Sequence, residues 1–424
     1  PSRRRYAVSQ RALAWCIWFI SSLFVVFQFF LQFTSGEIVE GMMKSFSLSA
    51  FYAGVVTSSY YYIYVLLQAP AGLLIDRFGP RRLLSLGAVV MTIGSWGTAV
   101  STTLLFILVS RVLMGAGAAF AFVGCLNLIR QWFPDNRFGF MTAIAEMLGM
   151  FGSVAGGVLF AGMIPIYGWQ RCMWLAAVVG LMMTVALWVI VRDRPADIEP
   201  EPAASLNAFI PAVMGLLRRR VVWLNALYSG LMFSVVTVFI AMWGVPFLET
   251  VYHFNLMWST FMIDLAFVGI AIFCPIIGYL DAVTGWRRWI MVGFPVIGAL
   301  SVVGILFVSS LNVFFLGGLM LLLGASLSSY ILTFVIGNQV SCRHTQATSI
   351  GIVNMLCVGT APLLQPLVGY ILDWERGSAV GGVHYSLSQY QGALLVVPAL
   401  MLLAAAVGYF LPGRVAVESE VLAK

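Results

Sequence analysis

The sequence predicts an all-α membrane protein of about twelve transmembrane helices, built as two pseudo-symmetric six-helix bundles. Three observations carry this prediction. Hydrophobic residues make up 61% of the 424 residues and charged residues only 9%, against roughly 25% charged in a soluble domain. The apolar residues gather in long runs, and a span needs roughly 20 of them. The cationic residues fall in alternate loops, as the positive-inside rule requires of a chain woven through a bilayer.

The runs lie at residues 14–35, 49–75, 83–100, 104–129, 139–163, 171–191, 221–248, 257–280, 288–309, 312–338, 347–371 and 389–411. The first is too long for a secretory signal and no small-residue cleavage site follows it, so it is expected to remain as a helix. With the N-terminus placed in the cytoplasm, 19 of the 23 Lys and Arg residues fall on that side. Lys44, Arg171 and Arg376 fall outside, and Arg111 lies within a span. The net charge of +7 is therefore a topology signal, with no nucleic-acid partner implied. Both termini are expected to be cytoplasmic, and the location a bacterial inner membrane.

Residues 192–220 are the most polar stretch, with Pro195, Glu199 and Glu201 leading to Arg218–Arg220. Proline and charge mark a linker, with a short surface helix near 205–217. It divides a first bundle, residues 1–191, from a second, residues 221–424, which ends in a short tail. The cysteines Cys16, Cys125, Cys172, Cys274, Cys342 and Cys357 are scattered, without a CxxC pair or histidines at metal spacing. They read as small hydrophobes. No metal or cofactor is implied, and there is no nucleophile–base pair to suggest an enzyme.

The halves echo each other. Gly72-Leu-Leu-Ile-Asp76-Arg77-Phe-Gly79-Pro80-Arg81-Arg82 follows span two, and Gly278-Tyr-Leu-Asp281-Ala-Val-Thr-Gly285-Trp-Arg287-Arg288 follows span eight. The glycines and second arginines repeat at an offset of 206, and only the aspartate slips by one. Matched halves are the mark of a transporter assembled from repeats. The glycines are expected to permit a tight turn, the carboxylate to cap a helix or pair with an arginine, and the arginines to anchor the loop at an anionic surface.

The first copy resembles the major facilitator loop signature G-x-L-x-D-R-x-G-R-[KR]-[KR], with Pro80 departing where a basic residue is usual. Arg111-Val-Leu-Met-Gly115-Ala-Gly117 resembles that family's fourth-helix pattern. Arg130-Gln-Trp-Phe-Pro134 with Arg137 resembles the loop after span four, and Gly168-Trp-Gln-Arg171 the start of span six. Gln365-Pro-Leu-Val-Gly-Tyr-Ile-Leu-Asp373 resembles the end of span eleven in organic-anion and nutrient importers, among them the phagosomal amino-acid transporters of intracellular bacteria. Span five holds Gly149, Gly152, Gly156 and Gly157 but lacks the Gly-Pro pair usual in drug/proton antiporters of the family. The resemblance implies alternating access by rocking bundles. It also implies a conformational role for Gly72, Asp76, Arg77, Gly79, Arg81, Arg82, Asp281, Gly285 and Arg287, with the Asp76 loop latching onto Arg130 and the start of span eleven.

Charges in hydrocarbon are costly and mark function. Arg111 sits about two turns into span four, and its fork suits a carboxylate or phosphate. A structural arginine holding span one or five is the alternative. Gln28 and Gln32, one turn apart on span one, are placed to share its pocket or to serve packing. Glu146 and Asp264, each about two turns into a span, are candidates for proton coupling or for structural pairing. Tyr61, Tyr64 and Gln68 share a face of span two that either lines a cavity or packs. Asn225, Tyr228, Ser326, Ser329, Tyr330 and Asn354 are polar within spans seven, ten and eleven. The resemblance implies that spans one, four, seven and ten line the cavity, which favours Gln28, Gln32, Arg111, Tyr228, Ser329 and Tyr330. His253, His344 and His384 lie outside the span cores, which disfavours a histidine relay.

The function expected is proton-coupled uptake of a small polar solute, an amino acid or related carboxylate, by a monomer in the lipid bilayer. Nothing resembles an ATP-binding phosphate loop. Export of a drug or of a secreted metabolite such as a siderophore is the alternative. A non-transporting receptor or scaffold is disfavoured by the short loops and tail.

Overall fold

The computed structural model describes residues 2–194, 211, 214–215, 218–308, 312–340, 353–376 and 385–413. Most of the expected helix at 205–217 and of the linker, together with Cys342, His344 and His384, lies outside these residues. The side chains of Asp76 and Arg77 are likewise not described, although their backbone is.

Among the described residues, twelve helical segments are long and apolar enough to cross a membrane. The first half comprises α1 (Ser2–Phe33), α2 (Ser35–Phe46), α3 (Ala50–Phe78), α4 (Pro80–Val100), α5 (Leu104–Ala118), α6 (Ala121–Trp132), α7 (Asp135–Tyr167) and α8 (Trp169–Ile190). The second comprises α9 (Arg220–Val235), a π-helical segment (Val236–Trp243), α10 (Gly244–Val251), α11 (Leu256–Thr284), α12 (Arg287–Phe307), α13 (Val313–Leu327), a 3₁₀ turn (Ser328–Tyr330), α14 (Ile331–Val340), α15 (Ala361–Arg376), α16 (Leu387–Leu394) and α17 (Val396–Phe410). Helix α2 was not anticipated, because residues 36–48 read as a loop. Its buried Ile38, Val39, Met42 and Met43 follow an i, i+1, i+4, i+5 pattern that marks an apolar helical stripe.

Helix starts follow local chemistry. The side chains of Thr103, Asn255 and Asn312 each accept a backbone N–H of the first turn that follows them, satisfying donors the helix leaves open. Ser386 and Gln389 form a capping box at α16. The turns after spans two and eight fall at Gly79 (φ +85°) and Gly285 (φ +68°), where a side chain would be strained. Gly72 and Gly278 do not form the turn, contrary to expectation. They lie inside α3 and α11, because the apolar runs continue helically to Phe78 and Thr284.

The chain separates into two compact units. One is Pro1–Ser47 with Val56–Ser205; the other is Leu48–Val55 with Leu206–Lys424. In the first, α4 packs on α5 and α8, and α1 on α7. In the second, α12 packs on α13 and α17, and α11 on α13. Small residues let these backbones approach, as in membrane helix pairs generally. A Cβ on Gly115 would run into the Tyr60 carbonyl, and one on Gly324 into the Ala266 carbonyl. Tyr60 and Ala266 differ by 206, the offset of the loop repeat, so the two halves share this contact as well as their motifs.

The second unit also holds the first turn of α3. Asp373 accepts the Ala50 and Phe51 N–H groups at 3.1 and 2.8 Å, and the Tyr385 hydroxyl donates to it at 2.8 Å. A carboxylate at a helix N-terminus satisfies open donors and suits the macrodipole.

Candidate functional site

The first unit carries a buried polar cluster around Arg111. Helix α5 projects this side chain into the unit's interior, where it is 1% exposed. Its Nη2 donates to Ser35 Oγ at 2.8 Å, while Nε and Nη1 have no hydrogen-bond partner. A buried guanidinium with two open donor nitrogens carries a large desolvation cost, and an anion would relieve it through charge-assisted bonds. Tyr60 and Tyr61 lie within electrostatic reach of the charge. Gln28 Nε2 donates to Gln32 Oε1 and, at 3.4 Å, to the Tyr60 hydroxyl. The Tyr61 hydroxyl donates to the Gln32 carbonyl at 3.4 Å. Tyr60 and Tyr64 stack at 5.9 Å. Tyr61, Tyr64 and Gln68 are buried together, and Tyr62, off that face, is exposed.

The second unit holds a neutral counterpart. The Tyr228 and Ser329 hydroxyls bond at 2.9 Å. Asn225 Nδ2 donates to the Thr333 carbonyl at 2.8 Å, and its Oδ1 has no partner. Thr333 Oγ1 donates to Ser229 Oγ at 3.2 Å. Gln365 Nε2 donates to the Thr237 carbonyl at 2.8 Å, within the π-helical segment. Tyr330 packs against Phe233 and Phe334 at 5.6 and 6.2 Å, and Ser326 is buried beside it. Asn354 is only partly buried.

Asp264 on α11 is buried, 4% exposed, and Glu146 on α7 is partly buried. They belong to different units, and each lies in a span.

The repeated loops are held differently. In the first, the Arg81 N–H donates to Asp193 Oδ1 at 2.8 Å, and Arg81 Nε donates to the Trp188 carbonyl at 2.9 Å. The Arg81 guanidinium also lies 4.6 Å over the Trp188 ring. Arg82 and Arg130 are exposed. In the second, Arg287 grips Asp281 through Nε and Nη2, the shortest bond 2.7 Å, and donates through Nη1 to Gln339 at 2.7 Å. This pairing of aspartate with arginine is one of the two roles expected for the loop carboxylate. The helix-capping role falls to Asp193 instead.

Of the residues singled out from the sequence, the structure groups Arg111, Gln28, Gln32 and Tyr61 in the first unit and Tyr228 and Ser329 in the second. Sequence reasoning missed Ser35, Tyr60 and Glu37. Ser35 and Glu37 lie on α2, whose apolar stripe was the available signal.

Twelve membrane-crossing helices around buried polar clusters define a multi-pass membrane transporter. The profile of the Major Facilitator Superfamily matches residues 18–366, so this chain belongs to that superfamily. Among curated relatives, the uncharacterized transporter YybO of Bacillus subtilis is 29% identical over 40% of each chain. The probable galactarate/D-glucarate transporter GarP of Escherichia coli is 27% identical over 39% of this chain and 38% of its own. The chain therefore spans about two-fifths of the length of these relatives. Solved structures of similar fold include a bacterial homolog of the human lysosomal transporter Spinster in an inward-facing, unoccupied conformation (TM-score 0.75, 14% identity, 94% of this chain and 96% of that one). A mutant of the nucleoside transporter NupG is also similar (TM-score 0.74, 13% identity, 93% and 98%).

Proposed function

We propose that the protein imports a small organic acid, a carboxylate or an amino acid, by proton-coupled symport with alternating access. On this reading it works as a monomer in a bacterial inner membrane with both termini in the cytoplasm. One observation carries the reading: the buried Arg111 guanidinium keeps Nε and Nη1 open, donors that the oxygens of a bound acid would satisfy through charge-assisted bonds. The names of relatives such as GarP, which refer to galactarate and D-glucarate, support an anionic cargo. Gln28, Gln32 and Tyr61 of the first unit, and Tyr228, Ser329, Tyr330 and Asn354 of the second, are the candidate hydrogen-bonders for its neutral hydroxyl or amide groups. Glu146 and Asp264 are assigned as proton carriers, because each is an ionisable group within a span, where charge is costly and marks a proton or ion path. The Asp76, Arg77 and Arg130 loops are assigned to the conformational cycle.

The test is uptake into proteoliposomes under an imposed inward proton gradient, with D-glucarate, galactarate and the amino acids as a panel. Gradient-dependent accumulation that is lost in Arg111→Gln is the expected result. A panel with no gradient-dependent accumulation would sink the reading.

A further inference from the structure

Glu37 is an acidic side chain of the first unit that the assignment above does not use. It stands in the first turn of α2, two residues beyond Ser35, whose hydroxyl accepts the hydrogen bond of the Arg111 guanidinium. Glu37 is 8% exposed, and its Oε2 has no hydrogen-bond partner. A buried, half-satisfied carboxyl is costly when ionised.

The helix that carries it is firmly held. Trp169 Nε1 donates to Ser45 Oγ at 3.2 Å, and a Cβ on Gly41 would strike the Trp169 ring. Movement at Ser35 is therefore carried by α2 as a body, with Glu37 on it. The surrounding ionisable groups are few. On α2 itself, Glu40 and Lys44 pair with each other on the exposed side. The adjoining half of α1, residues 19–33, has no charged residue, and α7 beyond Glu146 has only the exposed Tyr167 as a titratable group. Helix α8 contributes the exposed Arg171 and the buried Cys172 at its start, and α5 contributes Arg111.

We propose that Glu37 is a proton site coupled to anion binding at Arg111, with α2 and the Ser35 hydroxyl as the mechanical link. This rests on the reading of the protein as a proton-coupled importer of organic acids. Burial pushes the Glu37 carboxyl from its ordinary 4.5 up to about 7, with its own backbone N–H pulling the other way. Below that value Glu37 is neutral and adds no negative charge to the helix whose Ser35 hydroxyl holds the Arg111 guanidinium. Above it, the ionised carboxylate does. Anion affinity should therefore be highest at acid pH and fall as pH rises through about 7. By reciprocity, a bound anion should make Glu37 hold its proton more tightly. An acid load on one face and an anion on the same face then favour each other's binding, the condition for moving together.

The full-length protein in lipid nanodiscs allows a direct titration. The infrared carbonyl band of protonated carboxyls is followed against pH in the wild type, and the Glu37→Gln spectrum is subtracted. The expected difference band disappears with a midpoint of about 7, and D-glucarate, used as the probe anion, moves the midpoint upward. A midpoint in the ordinary carboxylate range overturns the proposal. In proteoliposomes, Glu37→Gln should lose gradient-driven accumulation yet keep solute exchange across the membrane, and Glu37→Asp should restore pH dependence, which excludes simple misfolding. If wild-type accumulation is gradient-driven and Glu37→Gln matches it, the Glu37 assignment fails while proton-coupled import stands. If the wild type itself shows no gradient-driven accumulation, the import reading fails first.

Discussion

The fourth and tenth spans share a framework and differ in chemistry. Gly115 lies against the Tyr60 carbonyl and Gly324 against the Ala266 carbonyl, so each half uses a glycine to bring the same pair of backbones together. Four residues before Gly115 stands Arg111. Four residues before Gly324 stands Met320, fully buried. The repeat preserved close helix packing, which any membrane bundle needs, but at this position left a cation in one half only. The neighbouring networks follow suit: open guanidinium nitrogens in the first unit, neutral hydroxyls and amides in the second.

The largest effect is expected when the second half is given the first half's charge. Met320→Arg should bury an uncompensated cation and cost about 3–5 kcal/mol, seen as a large drop in thermal-unfolding temperature in detergent. Stability close to wild type would mean that the two environments are more alike than the side chains suggest. Arg111→Gln comes next. Loss of its charge-assisted bonds should weaken binding of the transported acid by about 2–3 kcal/mol, roughly 30- to 150-fold, with Arg111→Lys recovering only part. Isothermal titration of whichever panel acid is transported measures this. Gly115→Ala and Gly324→Ala test the shared framework. Each should cost roughly 1–3 kcal/mol of stability through overpacking, and a clear inequality between them would undo the claim of equivalent contacts. The smallest effect is expected at Tyr228→Phe. Removing the hydroxyl that bonds Ser329 should cost about 1 kcal/mol, read as a roughly five-fold weaker KM in uptake with little change in stability.

Much of the architecture was legible because hydrophobic length and loop charge are local signals. The spans emerged from runs of apolar residues, and Gln28 with Gln32 from one-turn spacing. The features that escaped are those in which distant residues meet. The Arg81 N–H is capped by Asp193, 112 residues away, and the first turn of α3 by Asp373, more than 320 residues away. Neither partner is marked by its own neighbourhood. Gly72 misled because a glycine beside a charged loop usually signals a turn, whereas bilayer helices tolerate glycine for packing. Arg111 could be singled out by cost alone, but its hydroxyl partner Ser35 required knowing that α2 continues almost directly from α1 after Thr34.

The wide coil at Val236–Trp243 gives span seven a store of one extra residue per turn of winding. Should that coil tighten to ordinary α geometry, everything beyond Trp243 must swivel by roughly 100°, the angle of one residue in a 3.6-residue turn. Phe247, now 5.8 Å from the Tyr390 ring, would be carried off it. A helix with such slack can turn its far end like a key while its near end, fastened by Asn225 and Tyr228, stays still.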